Sequence, residues 1–256
     1  LFNRPQRATK KKSEAGMGDS KIHEEVTVRD EVQIFTRNYL SVTHIVAAAH
    51  FAKLSAELEV DETKIFLGPG RFSEDWLFEH NAHVTASILS SVAFLEGAIN
   101  ELYADAFDNQ TERLGELDSR SLDLLARHWA KTTSAHKIGT LEKYQSALKV
   151  SGRETFERGK TPYQDAKSVV ALRNVLVHYV PESRETASFV NPEIAFFKDL
   201  EKRLKGKFPS SPLYRSSGEA FFPARCLSAG CAKWVLKNCL TFTDAFFFAT
   251  GHNPHL

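Results

Sequence analysis

Arg173, Asn174 and His178 are the residues of this chain whose types and spacing point most directly to chemistry. All three fall in residues 161–180, a stretch that reads as a helix. Ala166, Val169, Val170 and Val177 share one face of it, with Arg173 in the middle of that face. At about 100° per residue, Asn174 and His178 sit together along one edge. A guanidinium centred on an apolar face should not stay unpaired, because burying an isolated charge is costly. Arg173 is therefore expected to meet a carboxylate, a ligand phosphate or a water-filled crevice. His178 follows it by five residues, which turns the two about 140° apart around the helix. One copy of the helix aims them poorly at a single atom, and that supplies a reason for two chains.

The remaining candidates have plainer readings. His80 and His83 are three apart on a helix, a spacing that suits metal ligands, but no clear third ligand accompanies them. His44 and His50 share no tight face and read as structural. Cys226, Cys231 and Cys239 fall within one predicted helix, an odd number without a CxxC pair, so neither a disulfide framework nor a zinc site is indicated. They read as small core residues of a protein in a reducing cytoplasm. Trp76, Trp129 and Trp234 read as core anchors. The run from Lys202 to Lys207, KRLKGK, is explained by cations at a helix C-terminus. Glycine-rich phosphate loops, nucleophile elbows and zinc-knuckle spacings are missing from the sequence, which argues against common kinases, hydrolases and metalloenzymes.

The bulk composition sets outer limits. Hydrophobic residues make up 42% and charged residues 25%, values ordinary for a globular chain of 256 residues. With 33 basic and 32 acidic residues the net charge is +1, so any grip on phosphate must be local. No stretch approaches the roughly 20 apolar residues of a membrane span; the nearest, Thr241 to Thr250, is short and carries Asp244. Residues 1–20 are basic and without periodicity. They read either as an added leader before a native start near Met17 or as a basic nucleic-acid-binding arm.

The elements that must position the site are helical. Residues 33–59 form an alanine-rich helix, followed by a connection with an extended piece at Lys64 to Leu67 and a break at Gly68, Pro69 and Gly70. A long helix starts near Ser73 and runs to about Phe107, with Ile88, Val92, Leu95, Ile99 and Leu102 as its apolar stripe. Shorter helices follow at Ser119 to Ala130 and Thr140 to Val150. The helix at 161–180 opens on a capping box of Thr161 and Gln164, with Pro162 at its first position, and stops at Pro181. Further helices run from about Pro192 to Phe208 and from about Pro223 to Thr250, the last closed by Gly251. The expected fold is all-α, a single antiparallel helical bundle over residues 21–256.

Arg-Asn-x-x-x-His near the end of a late helix resembles the R-x4-6-H pattern of HEPN domains, with the polar residue after the arginine, the adjacent Tyr179 and the proline stop also similar. The segment SSVAFLEGAINELYADAF from Ser90 to Phe107 looks like the first long helix of bacterial HEPN-like proteins. FFPARCLSAGCAKWVLKNCLTFTDAFF resembles the C-terminal helix of such members, so the resemblance spans about residues 73–250. It implies a HEPN-like bundle, a homodimer joined through the motif helices, and a protein that cleaves or binds RNA or a nucleotide without a metal or other cofactor. Arg173 would then stabilise the charged phosphate, and His178 would serve as general acid or base on the ribose 2′-OH or the leaving oxygen. Asn174 would orient the phosphate or the histidine. Glu96, Asn100 and Tyr179 complete the binding set.

Two other readings stand beside the ribonuclease. In a non-catalytic interaction module, Glu96 and Asn100, four apart on the long helix, would satisfy Arg173 and Asn174 across a helix pair. In a toxin-like partner of a nucleotidyltransferase, a tyrosine would stand two residues after the histidine; here Tyr179 is adjacent and Val180 holds that place.

Overall fold

The computed structural model describes residues 37–60, 66–68, 71–72, 74–110, 114, 117–131, 138–180, 197–214 and 220–251. The chain divides into two units, Leu1–Asn38 and Tyr39–Leu256. Of the first, only Arg37 and Asn38 are described, and the reading of residues 1–20 as a tail falls outside the described residues. Among its described residues the second unit is helical apart from a two-stranded ribbon. Its helices are α1 (Ser41–Val60), α2 (Glu74–Phe107), α3 (Ser119–Lys131), α4 (Thr140–Val150), α5 (Tyr163–Val177), α6 (Lys198–Leu204) and α7 (Ala229–Thr250). The ribbon, β1 (Phe66–Gly68) with β2 (Arg71–Phe72), is antiparallel and joins α1 to α2.

α2 is the spine, touched by α1, α3, α4, α5 and α7. The predicted stripe accounts for this: Ile88, Val92, Leu95 and Ile99 are all buried, joined by Phe94 and Tyr103 on adjoining faces. α1 lies close along it because the contact is made of small residues. Ala48, Ala52 and Ser55 are buried, Ser87 Oγ donates to the Ala48 carbonyl at 2.9 Å, and a Cβ added at Gly97 would stand 3.4 Å from the Ser41 Cα. By length and composition α2 would also suit a membrane span, contrary to the expectation from the sequence; half of its apolar window is buried against the other helices.

Tertiary caps moved several predicted boundaries. α1 begins at Ser41, not near residue 33, because Glu101 of α2 takes the free amides there. Its Oε1 accepts from Leu40 N–H and Ser41 N–H, both at 2.9 Å, and its Oε2 accepts from Ser41 Oγ at 2.7 Å. The capping box on α5 is absent: Pro162 itself is the N-cap, no side chain caps it, and Gln164 N–H donates to the Lys160 carbonyl at 2.9 Å. The last helix starts at Ala229, since Phe222 is extended (φ −109°, ψ 134°) and Ser228 caps it by accepting from Cys231 N–H at 3.0 Å. Gly251 does close it, in the left-handed region at φ 76°. The helix expected from Pro192 to Phe208 is described only over Lys198–Leu204.

Candidate functional site

α5 is positioned by its buried side, Tyr163, Ala166, Val169 and Leu172, which packs against α2, α4, α6 and α7. That face runs out before the helix ends. Val177, read from the sequence as part of it, is 52% exposed. Arg173 therefore sits at the margin of the core rather than at its centre, half-buried, with Nε closed off from water. Among the described residues no group accepts from that Nε, and the guanidinium forms no ion pair. Asn174 is exposed one step on. His178 is the C-cap (φ −111°, ψ 38°), exposed, its backbone N–H donating to the Asn174 carbonyl at 2.9 Å.

Tyr179 turns back over the core. Its ring is parallel to Phe197 within 2° at a centroid separation of 5.9 Å, and tilted against Phe222 at 6.4 Å. Phe197 and Phe222 are buried, whereas Tyr179 keeps 44% of its surface open. Arg173, Asn174, His178 and Tyr179 thus form one helix end, flanked by exposed Val177 and Val180, whose polar side-chain groups have no protein partner among the described residues. Chemically the end offers a fixed cation, an amide, an imidazole and an aromatic face. It is suited to a phosphate with an attached planar group.

Glu96 and Asn100, expected at this site or against Arg173, are committed elsewhere. Lys143 of α4, only 3% exposed, donates to Asn100 Oδ1 at 2.9 Å and lies 3.5 Å from Glu96 Oε1. A buried ammonium needs such partners, and α4 passes α2 at the right height to claim them. The carboxylate that would have made Arg173 structural is therefore spent on a different cation. Nothing in the spacing of Glu96 and Asn100 discriminates between Arg173 and Lys143; the packing order of the helices decides it.

His80 and the three cysteines are part of the core. His80 is fully buried, stacked on Trp76 at 5.0 Å, and its Nε2 lies 2.9 Å from Glu59 Oε1. The same oxygen accepts the Ala229 N–H at 2.7 Å, so Glu59 ties α1, α2 and the start of α7 together. His83 goes instead to Glu79, at 3.7 Å. Sequence reading missed this network, for which the only signal is an acid at the end of α1. Cys226 lies in the turn before α7 rather than on the helix, and all three thiols are buried and free. Burial pushes the Cys231 and Cys239 thiols well above their ordinary range, which keeps them protonated and poor nucleophiles. A largely apolar groove of about 520 Å³ between α1 and α7, lined by Ala49, Ala52, Ala56, Val60 and Leu236, includes no α5 residue. No protein-family model matches the chain, and no curated protein or solved structure is significantly similar to it.

Proposed function

We propose that the C-terminal end of α5 is an RNA-directed site, HEPN-like in design, in which two copies of the chain cleave a phosphodiester without a metal ion. The observation that carries this reading is Arg173: a half-buried guanidinium with no acceptor and no ion pair among the described residues, on the same helix end as uncommitted Asn174 and His178. A phosphate oxygen supplies what Arg173 lacks, with a charge-assisted hydrogen bond. The exposed apolar residues Val177 and Val180 beside it fit a partner helix end, and a second copy brings a second His178 to the same phosphate.

The chemistry balances with two histidines and no other group. One His178 takes the proton from the ribose 2′-OH as that oxygen bonds to phosphorus. The other gives a proton to the 5′-oxygen as its bond to phosphorus breaks, leaving a cyclic 2′,3′-phosphate and a 5′-hydroxyl. Arg173 neutralises the charge that builds on the phosphoryl oxygens, and Asn174 orients one of them. In the non-catalytic alternative the same end holds RNA, a nucleotide or a protein partner such as a nucleotidyltransferase. The exposure of His178 favours that version. Cleavage of labelled RNA in EDTA separates the two: loss of cleavage in both Arg173→Ala and His178→Ala supports the nuclease, and binding without cleavage by a folded dimer supports the module.

A further inference from the structure

Tyr179 is held as a platform by the rings around it. One face of its ring rests on Phe197, parallel within 2°, and Phe222 braces it at 6.4 Å. Both phenylalanines are buried, whereas 44% of Tyr179 stays open. An aromatic ring fixed by two core rings offers its free face to a ligand at little cost in side-chain entropy. Its place directly after His178 puts it beside the groups assigned to a phosphate.

α6 starts from the same spot. Phe197 is its N-cap, so Lys198 is the next residue along from the ring under Tyr179. Lys198 and Lys202, four apart, share one flank of α6. Both are exposed, and neither forms an ion pair among the described residues. Leu200 and Leu204 are buried and turn that flank outward. Glu201, which borders the same flank, accepts the Phe222 N–H at 3.3 Å. That bond fixes this side of α6 to the phenylalanine that braces Tyr179, and it engages the acid nearest the lysines. Asp199 turns to the next flank, with Arg203 four residues on, and Lys207 is taken by Asp165 at 3.0 Å.

We propose that Tyr179, Lys198 and Lys202 form a track for an unpaired RNA strand, a base stacking on the open face of Tyr179 and the adjoining phosphates lying along the two lysines. The inference deepens the reading of the α5 end as RNA-directed and rests on it for the class of polymer. Stacking needs a base out of its pair but tolerates any base, so the substrate class is single-stranded RNA without tight sequence preference. Two lysines on one flank give a local grip on phosphate that a net charge of +1 does not provide overall. A duplex, whose bases are covered, gains only the lysines.

The test is binding of a dye-labelled 2′-O-methyl oligoribonucleotide to the full chain, followed by fluorescence anisotropy; the blocked 2′-oxygen prevents cleavage during the titration. The single strand should bind about tenfold or more tighter than a blunt duplex of the same sequence. Tyr179→Ala and the bulk-keeping Tyr179→Leu should each weaken it about tenfold, with Tyr179→Phe at the wild-type value. Lys198→Ala combined with Lys202→Ala should make the slope of log affinity against log salt shallower by about 1.4. Equal affinity for duplex and single strand, or wild-type binding in Tyr179→Leu, overturns the track, and so does an unaltered salt slope in the lysine variant. Binding that is lost in Arg173→Ala but unchanged in the Tyr179 and lysine variants keeps the α5 reading and overturns the track alone; no binding by the wild type overturns both.

Discussion

The spine of the molecule and the end of α5 treat polar groups in opposite ways. Around α2, Lys143 is held by Asn100 and Glu96, Glu101 closes the N-terminus of α1, and Glu59 joins His80 to the Ala229 amide. At the end of α5, the side chains of Arg173, Asn174 and His178 have no hydrogen-bond or ion-pair partner among the described residues. Polar groups that the fold needs are paired, because an orphaned buried donor costs about 1–3 kcal/mol. Groups left unpaired at the margin of a core do not stabilise it, which is why the proposal assigns a ligand to these ones.

That contrast is easiest to break at Glu59. Glu59→Ala leaves His80 Nε2 and the Ala229 N–H without their acceptor, and should cost about 2–4 kcal/mol in urea unfolding. A loss under about 0.5 kcal/mol would show that the spine network is as dispensable as a surface contact. Asn100→Leu removes the shorter of the two Lys143 contacts and should cost about 1–3 kcal/mol in the same measurement. Unchanged stability there would mean that Glu96 alone suffices and that Asn100 is free for another role.

Asp118 sharpens the comparison by pH. The Ser121 backbone amide, then its hydroxyl, hold the Asp118 carboxyl below the ordinary value of 3.8. Because the folded value is the lower one, the cap on α3 contributes fully above 3.8 and fades as pH falls through the folded value. The stability gap between the wild type and Asp118→Ala should therefore be constant near neutrality and narrow below 3.8. A gap that stays level into acid would remove the carboxylate from the cap. The smallest effect belongs to Arg173→Ala, which should change unfolding free energy by no more than about 0.5 kcal/mol, and in the stabilising direction if the orphaned Nε is the main term.

Much of this was legible in the sequence where local signals decide the outcome. α4 falls at Thr140–Val150 as predicted, α2 follows its apolar stripe to Phe107, and Gly251 ends α7 as its conformational freedom requires. The failures share one cause. The start of α1 is set by Glu101, 60 residues on from Ser41, and the partner of Glu96 by how α4 crosses α2. Neither long-range contact leaves a trace in spacing. The capping box on α5 had every local sign and lost to a proline at the cap position itself. Arg173 was singled out by its setting among apolar residues, and its want of a partner is the part only packing could decide.

Whether the uncommitted groups at the end of α5 act on a phosphate is tested most directly by RNA cleavage. Cleavage of single-stranded RNA and tRNA in EDTA would be followed for the wild type, Arg173→Ala and His178→Ala, with thermal unfolding recorded on the same samples. The account predicts wild-type cleavage that falls by about 10²–10³-fold in Arg173→Ala and at least comparably in His178→Ala, with melting temperatures unmoved. Cleavage that survives in both variants, or a loss of activity that tracks a loss of folding, would contradict it.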